Sequence, residues 1–410
     1  MMAYPMLRAI NNGFFGTGEG PETYGYEYKY KDYDHDDVHF KNDRDVTIFV
    51  IAYIRRIALK NYYGVSYSAW ANHQYCKSIQ YMRTLVLLYV ALVCAQLALS
   101  VSKPRVVCYY PNYRLKVNPI ETIDPTLCTH IHYAFHILDT NNNVIVDRVG
   151  ARPDIYRRLN ALKTRNPELK VIVSVGGAKA PSEPFSNLVN NSSLRAEFIN
   201  NTIAYLKQYG FDGLDLDWEY PVCWAGNCTA GPQSDRANFG KLLRELKAAF
   251  DKQSPRLSLS AAVKAGKPGG PYEQAYDFSA LAESLDYINV MTYVLYGPWN
   301  RKTGHHSPYQ KCIDYSQSYV TKGVPNNKVL IGVPFYGKVF ALKNSSQHSM
   351  GAPITGAGNT PDGHNGAAYY REMCDLVKNK SWLKETNDQG HDPFAYHDNL
   401  WVGYDDPYQK

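Results

Sequence analysis

No lysine run and no basic helical pattern occurs in the 410 residues, and a formal charge of +6 is thinly spread over that length. That excludes the electrostatic footprint of a nucleic-acid or membrane-surface protein. Long apolar runs are missing too. The one sustained run lies inside Met82–Ser100 and is shorter than the roughly 20 residues a membrane span requires. With a basic residue before it and small residues after it, this stretch has the build of a secretory signal peptide that begins at a methionine. Residues 1–81 lack sustained periodicity, and they are expected to be an extension foreign to the folded protein, with Met82 as the true start. Cysteine is scarce: there are eight, and loss of Cys76 and Cys94 with the leader leaves six. In a secreted chain six read as disulfides. Six N-x-Ser/Thr triplets, headed by Asn190, Asn191, Asn200, Asn227, Asn344 and Asn379, all fall downstream of the leader and together favour a secreted, glycosylated product.

What is present is concentrated in Asp212–Pro221. Asp215, Asp217 and Glu219 alternate with Leu214, Leu216, Trp218 and Tyr220, the two-residue period of a β-strand, so three carboxyls leave one face while the apolar set demands burial. Alternate residues lie roughly 6–7 Å apart along a strand, close enough for each carboxyl to raise the pKa of the next. One of them can then stay protonated as a general acid at neutral pH, which is glycosidase chemistry. A calcium loop is excluded by spacing: with Asp215 at its first position, Tyr220 takes the place of the required glycine and Gly226 that of the bidentate glutamate. Beyond the leader, short β-type runs alternate with helical patterns, the sign of βα units and a parallel sheet. Ser234 to about Gln253 is predicted helical, with Phe239, Leu242, Leu243, Leu246 and Phe250 on one face and Ser234 as its cap.

The DGLDLDWEYP stretch is similar to the DxxDxDxE signature of family 18 glycoside hydrolases, the animal chitinases and chitinase-like lectins. The resemblance runs from about Val106 to the last residue. Val107–Asn112, Leu127–Phe135 and Lys170–Gly177 resemble the first three barrel strands, and Leu259–Val263, Ile288–Tyr293 and Leu330–Gly337 the fifth, sixth and seventh. The implied fold is α/β, a TIM (β/α)8-type barrel over residues 101–410 with a small α+β insertion at about 339–399 after the seventh strand. Leu400–Asp406 matches a segment that in the family precedes a further helix and the eighth strand, so the barrel is expected to be incomplete at its C-terminal side.

The resemblance also implies roles. Glu219 is the acid and later the base, Asp217 orients the substrate's acetamide, and Asp215 tunes Asp217 by a shared proton or a hydrogen bond. Asp212 is structural. Tyr293 contacts the acetamide through its hydroxyl, and Trp299 stacks on a sugar beyond the cleavage point. Tyr109, Phe135 and Tyr336 are candidates for the groove floor, and Trp218, Met291 and Lys338 complete the substrate-facing set. Where the family has Met-x-Tyr-Asp this chain has Val294, where it has Gly-Gly-Trp it has Ala178, and Lys338 stands in place of an arginine whose planar fork it cannot reproduce. Cys108 and Cys128 match a bridged family pair, and Cys223 and Cys228 are expected to close a local loop. Cys312 and Cys374 are either bridged to each other or free. The function implied is a secreted, monomeric endo-chitinase that binds chitin or its oligosaccharides and needs neither metal nor cofactor. A chitinase-like lectin or growth-factor-like protein is the alternative: Glu219 argues for turnover, Val294 and the missing eighth strand against it. An endo-β-N-acetylglucosaminidase acting on N-glycans shares the carboxylates but fits the WEYP continuation and the insertion less well.

Overall fold

The computed structural model describes residues 104–406, apart from 141–142, 361–364, 380–381 and 388, together with position 86. The expected extension and, apart from that one position, the signal peptide lie outside the described residues. Among those described, no helix is long and apolar enough to cross a membrane.

Seven parallel strands form one sheet in the order β1 (Val107–Pro111), β2 (His130–Asp139), β4 (Lys170–Gly176), β5 (Gly213–Asp217), β6 (Ser258–Lys264), β7 (Tyr287–Met291) and β8 (Val329–Ile331). The short β3 (Val144–Asp147) pairs antiparallel with β2 as a hairpin arm. Helices α1 (Pro153–Ala161), α2 (Ser182–Asn190), α3 (Ser192–Tyr209), α4 (Ser234–Phe250), α5 (Phe278–Ser284) and α6 (Tyr309–Thr321) fall between the strands. This is the βα alternation of a TIM-type barrel, with seven of its strands among the described residues. The sheet is rolled: Asn289 of β7 donates to the Tyr109 hydroxyl of β1 at 3.0 Å across the interior. Arg105, just before β1, donates to the carbonyl of Asn327, just before β8.

The helical layer follows from the apolar pattern. Phe239, Leu242, Leu243, Leu246 and Phe250 are all buried on α4, and each such side chain contributes about 1.5–3 kcal/mol on leaving water. Ser234 is helical rather than the cap, a correction to the expectation: Gln233 holds that place, and the Ser234 hydroxyl donates to Asn190 instead. Helix α3 is capped at its start by Asn191, whose side chain accepts from Ser193 and Leu194, and stops at Gly210 in the left-handed region.

After β8 the chain enters a second sheet, and the seventh motif is split. Only Val329–Ile331 stays in the barrel, whereas Tyr336 opens β9 (Tyr336–Leu342). Strands β9, β10 (Ile354–Ala357), β11 (Ala367–Tyr369), β12 (Leu383–Glu385), β13 (Phe394–His397) and β14 (Leu400–Gly403) are antiparallel with β9 central, and α7 (Tyr370–Asn379) follows β11. Alternate residues of β9 serve opposite faces, Val339 packing with Met373 and Trp382, and Phe340 with Phe394 and Trp401.

Two cross-links form, Cys108–Cys128 and Cys223–Cys228, and Cys312 and Cys374 are not bridged to each other. Where β4 and β5 end together, Gly176 has φ +117°, and a Cβ there would lie 2.0 Å from the Asp217 carbonyl oxygen. Glycine is required on both counts. Gly176→Ala is expected to cost about 3 kcal/mol in a urea melt, with the end of β5 displaced.

Candidate active site

The rolled sheet sends alternate residues of each strand to the interior, and on several strands these are polar where a buried parallel strand is ordinarily apolar. Asp215, fully buried, sits at the middle of this layer. Its Oδ2 accepts from the Tyr109 hydroxyl at 2.9 Å and the Ser174 hydroxyl at 2.8 Å, and its Oδ1 from the Ser260 hydroxyl at 2.7 Å and the Asn289 amide at 3.3 Å. Nδ1 of His132 lies 3.2 Å from Oδ2. Burial opposes ionisation, but His132, Ser260 and Ser174 outweigh it and hold Asp215 below the usual carboxylate range.

Asp217, one step toward the mouth, differs in kind. Burial, then the negative charges of Glu219 and Asp215, push it well above the usual range and favour its protonated form. Its Oδ1 is buried without a hydrogen-bond partner. No hydrogen bond joins the two aspartates among the described contacts, so the expected link between them is electrostatic. Glu219 follows at the rim, half-buried. Burial raises its pKa, while the Tyr220 hydroxyl and the Lys264 ammonium oppose the rise. Asp212, at the other end of the strand, accepts from the Val171 amide at 2.7 Å and pairs with Lys163, a structural position.

The aromatic candidates divide. Tyr109 touches Asp215, and its ring lies 6.5 Å from that of Phe135, whose face closes on Gly177. Tyr293 meets Tyr336 edge to face at 6.3 Å. Burial and the Tyr336, Asp217 and Glu219 charges keep the Tyr293 hydroxyl un-ionised. Met291 ends β7 opposite Lys264. Trp299 stands 63% exposed on the turn Pro298–Asn300, an open ring of the sort a sugar face can cover. Lys338 lies in the second sheet, between Ala367 and Gly403. Trp218 is not in the groove. The alternation that turns the carboxylates inward turns it outward, where it is 2% exposed, stacked on Phe185 at 5.4 Å and edge-on to Phe239 at 5.7 Å. It packs β5 against the helices.

Several site residues escaped the sequence reading: His132, Ser174, Ser260 and Asn289 around Asp215, and Lys264 beside Glu219. The signal was available as polar residues in phase within strands otherwise apolar. Lys264 ends β6, with Nζ 4.5 Å from the Tyr220 ring centroid. Its amide donates to Tyr276, and its carbonyl accepts from Tyr319 at 2.7 Å. Asp235 also went unnoticed. Buried at the start of α4, it accepts from Ser186, Asn190 and the Trp224 indole, and so ties the loop after β5 to α2 and α4.

Residues 105–409 match the model of glycosyl hydrolases family 18. Human chitinase-3-like protein 2 is 35% identical over 330 residues, covering 74% of this chain and 80% of that protein. Catalytic domain 2 of the group II chitinase of Ostrinia furnacalis superposes with a TM-score of 0.70 at 36% identity, over 75% of this chain and 85% of that one. Human YKL-39, described as a pseudo-chitinase with retained chitooligosaccharide binding properties, superposes with a TM-score of 0.66 at 32% identity, over 74% and 86%.

The Lys264 cation favours the ionised form of Glu219, so Lys264→Met is expected to move Glu219 to a higher pKa. Carboxyl carbon-13 titration should show that upward displacement, and the alkaline limb of any reaction that uses Glu219 as an acid should move up with it.

Proposed function

Because the chain belongs to glycosyl hydrolase family 18, we propose that it hydrolyses β-1,4-linked N-acetylglucosamine polymers by substrate-assisted, retaining catalysis, a scheme distinct from the two-carboxylate rule. The observation that carries this reading is the graded column at the end of β5: Asp215 held below the usual carboxylate range by its hydrogen-bonding neighbours, Asp217 pushed above it with an unpartnered buried oxygen, and just past the strand a half-buried Glu219 with a raised pKa. A glycosidic oxygen beside Glu219 takes its proton while the 2-acetamido oxygen of the sugar being cleaved attacks that sugar's own C1, and the C1–O bond to the leaving sugar breaks. Asp217 receives the acetamide and, as positive charge grows on the oxazolinium ring, stabilises it. Glu219, now a carboxylate, removes a proton from the water that opens the ring. Tyr293, kept as a neutral phenol, is a donor for the acetamide oxygen. Tyr109, Phe135, Tyr336, Met291, Trp299 and Lys338 are assigned to sugar binding. Secretion is supported by two disulfides within the described residues.

A chitooligosaccharide-binding role without turnover is the second reading, favoured by the pseudo-chitinase relative and by Val294 at the end of the acetamide-side strand. Glu219→Gln separates the two. It preserves shape and removes the proton, so hydrolysis of chitin oligomers is expected to fall by at least roughly 10² with binding retained. A wild-type chain that binds but never cleaves favours the second reading.

Val294 adopts φ +58° and is 38% exposed, a left-handed conformation that a β-branched residue tolerates poorly and aspartate tolerates better. Val294→Asp is expected to relieve that strain and to tighten oligosaccharide binding by about 1.5–3 kcal/mol, the value of one charged hydrogen bond. Calorimetric titration measures it.

A further inference from the structure

His132 is a fully buried ionisable group with no part in the scheme above. It faces inward from the middle of β2, between two partners on other strands. Nε2 lies 2.8 Å from the Tyr287 hydroxyl of β7, and Nδ1 lies 3.2 Å from Oδ2 of Asp215 on β5. Both side chains of the His132–Asp215 pair are 0% exposed. The ring is fixed further by Tyr109 of β1, edge-on at 4.8 Å, and by the tilted ring of Tyr287 at 5.9 Å. Tyr287 is itself held beneath the Arg105 guanidinium at 4.6 Å and against His130 at 5.1 Å. The ionisable groups around the imidazole are therefore Asp215, Tyr109, Tyr287 and His130, with Arg105 behind Tyr287. Asp215 is the sole carboxylate among them.

The ring's orientation has a chemical consequence. A carboxylate facing Nδ1 selects a proton on that nitrogen. Nε2 then either accepts from Tyr287, leaving a neutral ring, or donates to it, leaving a cation. In both states Nδ1 turns a proton rather than a lone pair toward Asp215, at ion-pair distance though without the alignment of a full hydrogen bond. With four hydroxyl and amide donors already on its oxygens, the carboxylate has no site left where a proton is welcome.

We propose that His132 is a positioning residue for the hydrolytic site: locked between Tyr287 and Asp215, it keeps the negative charge at the base of the carboxylate column and leaves the proton of the aspartate pair to Asp217. It never touches substrate and acts through Asp215. The inference rests on the hydrolytic reading for its consequence in turnover, but the location of the proton is independent of that reading.

Removing the imidazole donor lets Asp215 compete for the proton. When Asp215 is protonated, Asp217 loses an adjacent negative charge and ionises more readily. In full-length His132→Leu, carboxyl carbon-13 titration is expected to show a new step at Asp215 and a downward displacement of Asp217. The pH limb of kcat governed by Asp217 should move to lower pH. Turnover of chitin oligomers should fall roughly 10-fold with KM within about 2-fold, because sugar contacts remain while the column's charge order changes. His132→Asn retains an amide donor and should restore most of the wild-type profile. Should the leucine variant fail to fold, His132→Phe, which keeps an aromatic ring and removes both nitrogens, is the substitute and should displace the same limb in the same direction. A silent Asp215 and a wild-type pH profile in the folded leucine or phenylalanine variant overturn the proposal. A wild-type chain that shows no turnover sinks the chitinase reading, and the titrations still decide the role of His132.

Discussion

The site depends on one fully occupied carboxylate. Asp215 stands in the rolled sheet with donors converging from β1, β2, β4, β6 and β7. A buried carboxylate with no partners would destabilise the chain severely. Here the cost is offset by strands that must each arrive in register to supply a donor. Fold and charge are therefore set by the same geometry: a register slip of one residue on β4, β6 or β7 turns Ser174, Ser260 or Asn289 out to the helices and leaves the anion exposed to an apolar core.

Outward from Asp215 the environment changes by one step per alternate residue. Asp217 sits buried between two further carboxyl groups, which favours its protonated form. Glu219 reaches the rim, where Tyr220 and Lys264 partly compensate its burial. Three residues of similar intrinsic acidity are thus shifted differently, Asp215 downward and Asp217 and Glu219 upward, by depth and neighbours alone. That division separates a carboxylate fixed as an anion from carboxyls poised to exchange a proton, the arrangement that acid–base chemistry requires.

Much of this was legible in the chain. The period-two carboxylates, the β-type runs and the apolar face of Phe239–Phe250 indicated the strand, the βα alternation and one helix, because each rests on a local pattern, whereas the barrel followed from the resemblance to family 18. Other features depend on which strands become neighbours. Ser174, Ser260, Asn289 and His132 look unremarkable until four separate segments converge on Asp215. Trp218, expected among the substrate-facing residues, is placed by strand alternation on the face opposite Asp217, in the packing between β5 and the helices. The boundary of the seventh strand failed for a related reason: Leu330–Gly337 is one continuous apolar motif, but Tyr336 pairs with Tyr369 in a different sheet.

The Cys108–Cys128 bridge joins β1 to the segment leading into β2, and β1 pairs with no other strand among the described residues. An edge strand held on one side only is the first part of a sheet to fray. Tyr109 lies on that strand, next to the bridged cysteine, and its hydroxyl is one of the donors on Asp215. Covalent closure of a loop this short suppresses the frayed state by limiting how far the edge can wander once its ladder opens. The redox poise of the surrounding compartment is thereby linked to the polar network at the centre of the barrel: a reducing environment loosens a strand at the rim, and the first group to lose its donor is a carboxylate in the middle.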